Sequence, residues 1–443
     1  MATLLAPYNT AMQLGSGFNS FTQQLCINNA VVRERQPQES AVDVDKPRLP
    51  IAQEVVYKTA VIDKVTDVTS AMNINAAFAI KYDTFDAKGK GDFINTSKVK
   101  ESDVSFMIAV KVVNQVIYDN LLTKFDPIPD VKLESFASVY GDSFISGFQE
   151  GGEFIAVISV RAKDRQKASS MRADAAINFT KENMLLDANG EFSKKTKDFL
   201  EQNETTVSVT YSGGGQDLKK PDADWTLETM RSAALKFPEL VAQTPLRTHA
   251  ILTKYTSLRS FQAVLGKVTD GNHNAHTVIP NFELAGVYTS VLQEAYLDYK
   301  NILKNLQVTT YNVSHGIERL VDGPTARRLA VQTPSATAPP ASAPGTAPAA
   351  AANGESDDDS SVVAVDTPKS KLKASIYTDK NEAGTKPYPP TIAGLEAARQ
   401  DVRFMLNRIV GEVDAITAKP ELAVDEGREL CYVSPFIFKD LLP

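Results

Sequence analysis

Apolar residues alternate along the first half of the chain and recur at spacings of three and four in the second. Across residues 72–82 one face carries Met72, Ile74, Ala76, Phe78, Ile80 and Tyr82, and the other Asn73, Asn75, Ala77, Ala79 and Lys81. That period of two predicts a strand with one apolar side. Residues 106–118 form a denser β-branched run, and 154–160 and 206–211 follow. Four strands this far apart in sequence predict a sheet whose long connections are themselves structured, with 131–139 helical in one and 163–204 filling another. In the second half, Leu284, Val287, Tyr288, Val291, Leu292, Ala295, Tyr296, Tyr299, Ile302, Leu303 and Leu306 make one helical stripe. Ile392, Leu395, Val402, Met405, Leu406, Ile409, Val413 and Ile416 make a second, bracketed by Pro390 and Pro420. Both predict long amphipathic helices.

Between the two stripes the composition changes. Residues 333–353 are Thr, Pro, Ser, Ala, Gly and Asn without a charge, and an acidic run at 355–360 follows. Such a stretch buries too little apolar surface to offset its ordering entropy. The expected division is therefore a main domain over 1–330, a disordered insertion over 331–375, and a helical segment over 376–443 that packs back on the main domain.

Composition narrows the function classes. The chain has 443 residues, 43% hydrophobic and 23% charged, the balance of a folded protein. Lys and Arg number 47 against 54 Asp and Glu, for a net charge of −7, with no basic block to neutralise phosphates, so no nucleic-acid partner is expected. Cys26 and Cys431, at opposite ends, offer neither a disulfide framework nor a thiolate metal site. His273 and His276 are two imidazoles where a metal needs three or four ligands, Asp357, Asp358 and Asp359 fall in the acidic run, and Gly15-Ser16-Gly17 lacks the later glycine of a phosphate loop. No metal, cofactor or catalytic residue is expected. The opening residues carry no positive charge and meet Pro7, a poor secretory signal, and no stretch reaches the roughly 18–20 apolar residues of a spanning helix. The expected location is the cytoplasm, or outside the cell without a classical signal, with membrane association after assembly.

Three glycine clusters stand beside the expected strands: Gly141, the pair Gly151 and Gly152, and the triplet Gly213, Gly214 and Gly215. Glycine within or at the end of a strand permits a bulge, a bend or a close backbone approach, although any one cluster alone fits ordinary turn chemistry. In chain order they follow a box Tyr140-Gly141-Asp142-Ser143-Phe144, then Gly-Gly, then a strand closing on Gly-Gly-Gly, then Trp225. This order resembles the membrane attack complex/perforin (MACPF) domain, whose signature is an aromatic-Gly-Thr-His-aromatic box, a Gly-Gly pair, a second Gly-Gly after a later strand, and a Trp beyond. The resemblance covers about residues 10–320 and resumes over 388–420. Ser143 stands where the family has histidine.

The resemblance implies an α+β fold like that of MACPF proteins and cholesterol-dependent cytolysins. Its centre would be a bent four-stranded antiparallel sheet, with the glycines at the bend and flanking helix clusters that unfurl into membrane-spanning hairpins. It also implies self-association into an oligomer and contact with a lipid membrane. A lipid-facing barrel strand needs about 9–11 alternating residues. Met72, Ile74, Ala76, Phe78 and Ile80 supply one such row, and Met171, Ala173, Ala175, Ile177 and Phe179 another. Either stretch can equally be a half-buried soluble strand or an amphipathic helix. The returning strands are poorer, since 88–103 is rich in Lys, Gly and Asp and 191–199 carries adjacent lysines, each costing about 2–4 kcal/mol if it faces lipid at mid-depth. A rival expectation is the same scaffold working without perforation, as an intracellular small-molecule-binding protein or biosynthetic enzyme.

Overall fold

Residues Ser143–Arg161 form one unbroken strand of 19 residues, and the sheet is built outward from it. Phe144, Ile145, Phe148, Phe154, Ile155, Ala156, Val157, Ile158 and Val160 are all buried, the continuous apolar run of a strand covered on both faces. The computed structural model describes residues 4–34, 52–82 except 63, 99, 102–131 except 130, 135–163, 201–215, 218, 224–268, 279–321 and 386–443.

In chain order the strands are β1 (Leu4–Pro7), β2 (Gly17–Asn19), β3 (Gln24–Leu25), β4 (Val31–Arg33), β5 (Glu54–Val61), β6 (Val104–Tyr118), β7 (Leu122–Phe125), β8 (Ser143–Arg161), β9 (Glu204–Ser212) and β10 (Leu246–Lys254). The helices are α1 (Val65–Ala71), α2 (Ala76–Lys81), α3 (Phe136–Tyr140), α4 (Leu227–Gln243), α5 (Arg259–Val268), α6 (Glu283–Ser314), α7 (Ile392–Ala418) and α8 (Pro435–Asp440).

On one edge of β8 runs β6, antiparallel from Val104 opposite Val160 to Tyr118 opposite Gly147. The other edge is shared. β10 occupies it from Ser143 to Gly151, and β9 from Glu153 to Arg161, so the sheet forks at Gly151 and Gly152. β5 pairs with the far side of β6, β1 with β10, and β2 with the start of β8. The ladder slips opposite the fork, between Val113 and Gln115, where Asn114 donates from Nδ2 to the carbonyl of Val241 (3.1 Å) and accepts at Oδ1 from Gln53 (2.8 Å).

The fork admits no side chain. A Cβ on Gly151 would lie 1.9 Å from the carbonyl oxygen of Val112, and one on Gly152 would lie 2.5 Å from Val241 Cγ2 and 2.9 Å from Phe237 Cζ. Gly213 takes φ +82°, and a Cβ there would meet the carbonyl oxygen of Gly151 at 2.7 Å. The pair and the triplet therefore close on each other. α4 covers this face through Met230, Ala233, Ala234, Phe237 and Val241, which pack on Phe106, Ile108, Val110, Phe154 and Ile158. It starts at Thr226, whose hydroxyl accepts from the backbone N–H of Thr229, as an N-cap residue should. The opposite face packs Met107, Ile155 and Val157 against Val65, Val68 and Met72 of the α1–α2 region and Leu297 of α6.

Three of the four expected strands are present, but residues 72–82 are not a strand. They hold the turn after α1 and then α2, and the buried residues Met72, Ile74, Ala77, Ala79 and Ile80 come from both faces of the supposed alternation. Alanine fits either period, so Ala-Ala-Phe-Ala-Ile-Lys, rich in strong helix formers, goes helical where tertiary packing asks for it. The missing neighbour of β6 is β5, and among the described residues the main sheet has eight strands rather than four. Both expected long helices form, although Leu284, Val287 and Val291 of the first stripe are exposed to 64%, 70% and 50%.

The chain divides into two compact units, Met1–Asn301 with Leu406–Arg428, and Ile302–Met405 with Glu429–Pro443. Inside the first, Lys81 pairs with Asp414 (2.7 Å), and the buried Glu412 pairs with Arg428 (2.8 Å) and accepts from the hydroxyl of Tyr288 (3.3 Å). Inside the second, the backbone N–H of Tyr388 donates to Leu441, its hydroxyl donates to Asp401, and its ring meets Phe438. The whole of the expected insertion at 331–375, with Asp357, Asp358 and Asp359, and the pair His273 and His276 lie outside the described residues.

The two fork glycines differ in what a methyl group would strike. Gly152→Ala meets the ends of two side chains and, at 2.8 Å, the carbonyl oxygen of Ser212, and should cost about 1–3 kcal/mol, the usual price of overpacking. Gly151→Ala meets backbone in a paired strand and should cost more. Urea midpoints of the two variants check the order, and equal midpoints would mean the fork relaxes freely.

Candidate functional site

Four strand ends lie together at one end of the sheet: Val61 is opposite Phe106, Val104 opposite Val160, and Arg161 opposite Glu204. Two connections leave from there and return. Residues 62–103 join β5 to β6 and residues 162–203 join β8 to β9, 42 residues in each case. Each therefore links strands that are already antiparallel neighbours in the sheet.

α1 and α2, in the first connection, are fastened to the sheet by a polar chain. Asn73, between them, takes φ +55°, and Gln23, in the turn after β2, takes φ +52°, both conformations that a non-glycine side chain disfavours. The buried Gln23 side chain grips the loop from both directions, donating from Nε2 to the carbonyl of Asn73 (2.7 Å) and accepting at Oε1 from the backbone N–H of Asn75 (3.1 Å). Asn75 Nδ2 donates to the carbonyl of Ser20. Asn73 Nδ2 lies 3.0 Å from Nε2 of His249, a fully buried residue of β10. His249 in turn stands 3.5 Å from Glu153, which lies 3.4 Å from Lys111. Glu153 is the first residue past the fork, so the chain of contacts runs from the helices to the fork.

The five-residue box sits at the other end of that chain. Asp142 is buried and accepts at Oδ1 from the backbone N–H of Ser20 (2.6 Å) and at Oδ2 from its hydroxyl (2.6 Å) and from Ser143 (3.3 Å). Burial pushes its carboxyl above the ordinary 3.8, and the Ser20 hydrogen bonds hold it back. The same burial, with Asp142 nearby, pushes the Cys26 thiol up to about 11, which leaves it unreactive at neutral pH. Gly141, at φ +77°, brings its backbone against Phe18, where a Cβ would meet the carbonyl oxygen at 2.2 Å. Tyr140 and Phe144 enter an aromatic cluster with Phe125, Phe136, Tyr255 and Phe261, and Tyr255 donates its hydroxyl to the carbonyl of Tyr140 (2.9 Å). Trp225 meets Phe154 edge-on at 6.1 Å, on the α4 side of the fork.

Beside the latch is a half-open cleft of about 520 Å³. Its walls are the α1–α2 loop, the ends of β1 and β10, and the first turns of α6. Gly286 of α6 lines it, and a Cβ there would meet nothing within 4 Å. A glycine inside a helix costs about 0.5–1 kcal/mol relative to alanine, and packing does not require this one.

Of the residues expected to face lipid, Met72, Ile74 and Ile80 are buried and Ala76 and Phe78 half-buried in this closed arrangement. Met171, Ala173, Ala175, Ile177 and Phe179 lie outside the described residues, as do the stretch 191–199 and most of 88–103. The three glycine clusters, placed apart in sequence, meet in space only in part: Gly213 touches the pair, and Gly214 packs over Phe237. Gln23, Asn73 and His249, which sequence reasoning passed over, carry no motif, and only the unusual backbone angles of the first two mark them. Among the described residues no group of three His, Cys, Asp or Glu side chains could hold a metal, and no helix is long and apolar enough to cross a membrane.

No protein-family model matches the chain, and no curated protein matches it. Among solved structures it is similar to stonustoxin, at 10% identity and a TM-score of 0.33, over 69% of this chain and 38% of that one. It is also similar to GNIP1Aa from Chromobacterium piscinae, at 12% identity and a TM-score of 0.30, over 61% of this chain and 58% of that one. The human-specific toxin intermedilysin aligns at 12% identity and a TM-score of 0.29, over 46% of this chain and 41% of the toxin. The chain thus spans less than two thirds of the length of each.

Gln23→Ala strips the partners from the Asn73 carbonyl and the Asn75 N–H, a loss of about 1–3 kcal/mol confined to the loop. Amide hydrogen exchange should accelerate roughly ten- to a hundredfold over 73–82 while the β6–β8 ladder keeps its protection; uniform acceleration would show that the latch is not a separable unit. Asp142 gives a pH-dependent counterpart. A carboxyl raised on folding binds its proton more readily in the folded state, so the wild type gains stability as pH falls through the raised value, with the gain complete below 3.8. Asp142→Asn keeps the Ser20 N–H contact at Oδ1, and the Ser20 hydroxyl turns to accept from Nδ2, so with no buried charge it should be the more stable protein at pH 7, by a margin that shrinks in acid. A pH-independent margin in denaturation midpoints would contradict this.

Proposed function

We propose that the chain is a MACPF-like protein that assembles edge to edge and inserts two β-hairpins into a membrane. The observation that carries this reading is the pair of equal connections. If each ran as ribbon continuing its flanking strands, it would supply two arms of about 20 residues, some 65 Å long at about 3.3 Å per residue. A tilted barrel strand needs only about 9–11 residues to cross the apolar layer, so half of each arm spans and half reaches from the sheet to the surface. Equal lengths and a common point of departure let the two hairpins arrive at the same depth, side by side, as extensions of β5-β6-β8-β9.

Backbone satisfaction dictates the rest. A ribbon in hydrocarbon must leave no edge open, so hairpins from neighbouring subunits have to close a barrel. Among the described residues β5 pairs with β6 alone and β9 with β8 alone, which leaves one outer edge on each side of the four-strand block for a second copy. The fork glycines bear the curvature that has to change as the block straightens, and release of the Gln23 latch frees the first hairpin. A second reading, a scaffold that binds a small molecule without perforating, is favoured by the cleft beside the latch.

Dye release from phosphatidylcholine vesicles, with electron microscopy for rings or arcs, tests the first reading. Val56 is an exposed apolar residue on the β5 edge, opposite Lys111. Val56→Glu places a charge on the edge but gains a cross-strand partner, so it should suppress assembly and leakage while changing stability by no more than about 0.5 kcal/mol. Leakage by the wild type with Val56→Glu unimpaired would move the interface elsewhere, and absence of leakage and of rings over several lipid compositions would sink the reading.

A further inference from the structure

We propose that the cleft between the α1–α2 loop and the first turns of α6 binds a neutral polyhydroxylated molecule of one or two sugar rings. Its volume of about 520 Å³ falls within the range of small-molecule sites, roughly 300–1,000 Å³. The lining mixes hydroxyl and amide side chains, Ser70, Asn75, Asn281 and Ser290 among them, with the apolar Leu252 and the ring of Phe282. Hydroxyls and amides both donate and accept, as a sugar's hydroxyls do, while a sugar's C–H face packs on apolar and aromatic walls.

Charge selects against anions. Lys254 and Glu283 face each other at 3.8 Å and cancel, and the carboxylate of Asp142, also in the lining, is engaged by Ser20 and would repel an anion. Phe21 and Phe282 stack on each other at 4.7 Å, which holds the aromatic wall in place before any ligand arrives. Gly286 is the further sign of a kept space. A side chain there would clash with nothing in the fold and would project into the cleft.

A ligand touching Asn75 on one side and Ser290 on the other would bridge the latch loop to α6. On the pore-forming reading, on which this consequence rests, occupancy holds the first hairpin closed. The same chemistry is offered by a free saccharide and by the sugar headgroup of a neutral glycolipid.

The test uses the full chain. Saturation-transfer NMR is run with lactose and N-acetylglucosamine, beside glucuronate and glucose 6-phosphate at matched concentrations, and sedimentation with phosphatidylcholine vesicles with or without glucosylceramide. The neutral sugars should bind and the charged ones not, and Gly286→Phe should weaken binding at least about tenfold without lowering the melting temperature, with Gly286→Ala close to wild type. Preference for the glycolipid vesicles alone would support the headgroup as the source, and binding of free sugar alone a soluble one. No binding in either arm, equal binding of the charged sugars, or full affinity in Gly286→Phe would overturn the proposal. These measurements do not involve leakage, so failure to perforate vesicles leaves them standing, and failure to bind sugar leaves the hairpin reading standing.

Discussion

The structure depends on the backbone contact at Gly151 and Gly152, where one strand must serve two partners. β8 carries β10 along its first half and β9 along its second. Two strands share this edge by one giving way to the other, and the point where they part is free of side chains. There, the carbonyls of Val112 and Ser212 and the α4 side chains Phe237 and Val241 all stand within about 3 Å of where a Cβ would be. The neighbouring strand slips register at Asn114, opposite the same point. The fork is a property of packed backbone rather than of any side-chain preference.

Two kinds of force hold the first connection against the sheet, and they differ in how they would let go. Val65, Val68 and Met72 bury apolar surface on Met107, Ile155 and Val157, a non-directional attraction that fades gradually as the elements separate. The contacts of Gln23, Asn73 and Asn75 are directional, worth about 1 kcal/mol each in net terms, and are lost together once the loop moves. Non-glycine residues at positive φ on both sides of that grip add strain which the contacts offset. An attachment of this kind would be lost cooperatively, and because Glu153 belongs both to the His249 contact and to the fork, the Gln23 latch and the fork share a neighbour.

Legibility in the sequence followed the range of the interaction. β6, β8 and β9 and the two long helices α6 and α7 could be read because their periodicity is local and sustained. β5 could not, although Val55, Tyr57, Thr59 and Val61 alternate with Glu54, Val56, Lys58 and Ala60, because valine and alanine on both faces blur the period. The segment 72–82 was misread for the same reason, and only the tertiary surface of Met107 and Val157 decides it. Of the site, the glycine clusters and the box were visible as spacing, but spacing said nothing of the Gln23 grip, which joins residues 50 positions apart through one side chain and two backbone groups. The cleft was invisible for a stronger reason, since its walls come from elements far apart in the sequence.

The misreading of 72–82 has a physical consequence. As a helix with its preceding turn, this segment buries Met72, Ile74, Ala77, Ala79 and Ile80, a set drawn from both sides of the alternation. The closed state therefore does not require Met72, Ile74, Ala76, Phe78 and Ile80 to form one row opposite Asn73, Asn75 and Lys81. A row of that kind is what a ribbon with one face in hydrocarbon needs. On the proposed hairpin reading, that unused period of two is what the extended form of the segment would use. The strain at Asn73 would act in the same direction: a left-handed residue between two short helices is a local cost of the helical arrangement, and a continuous strand would not carry it.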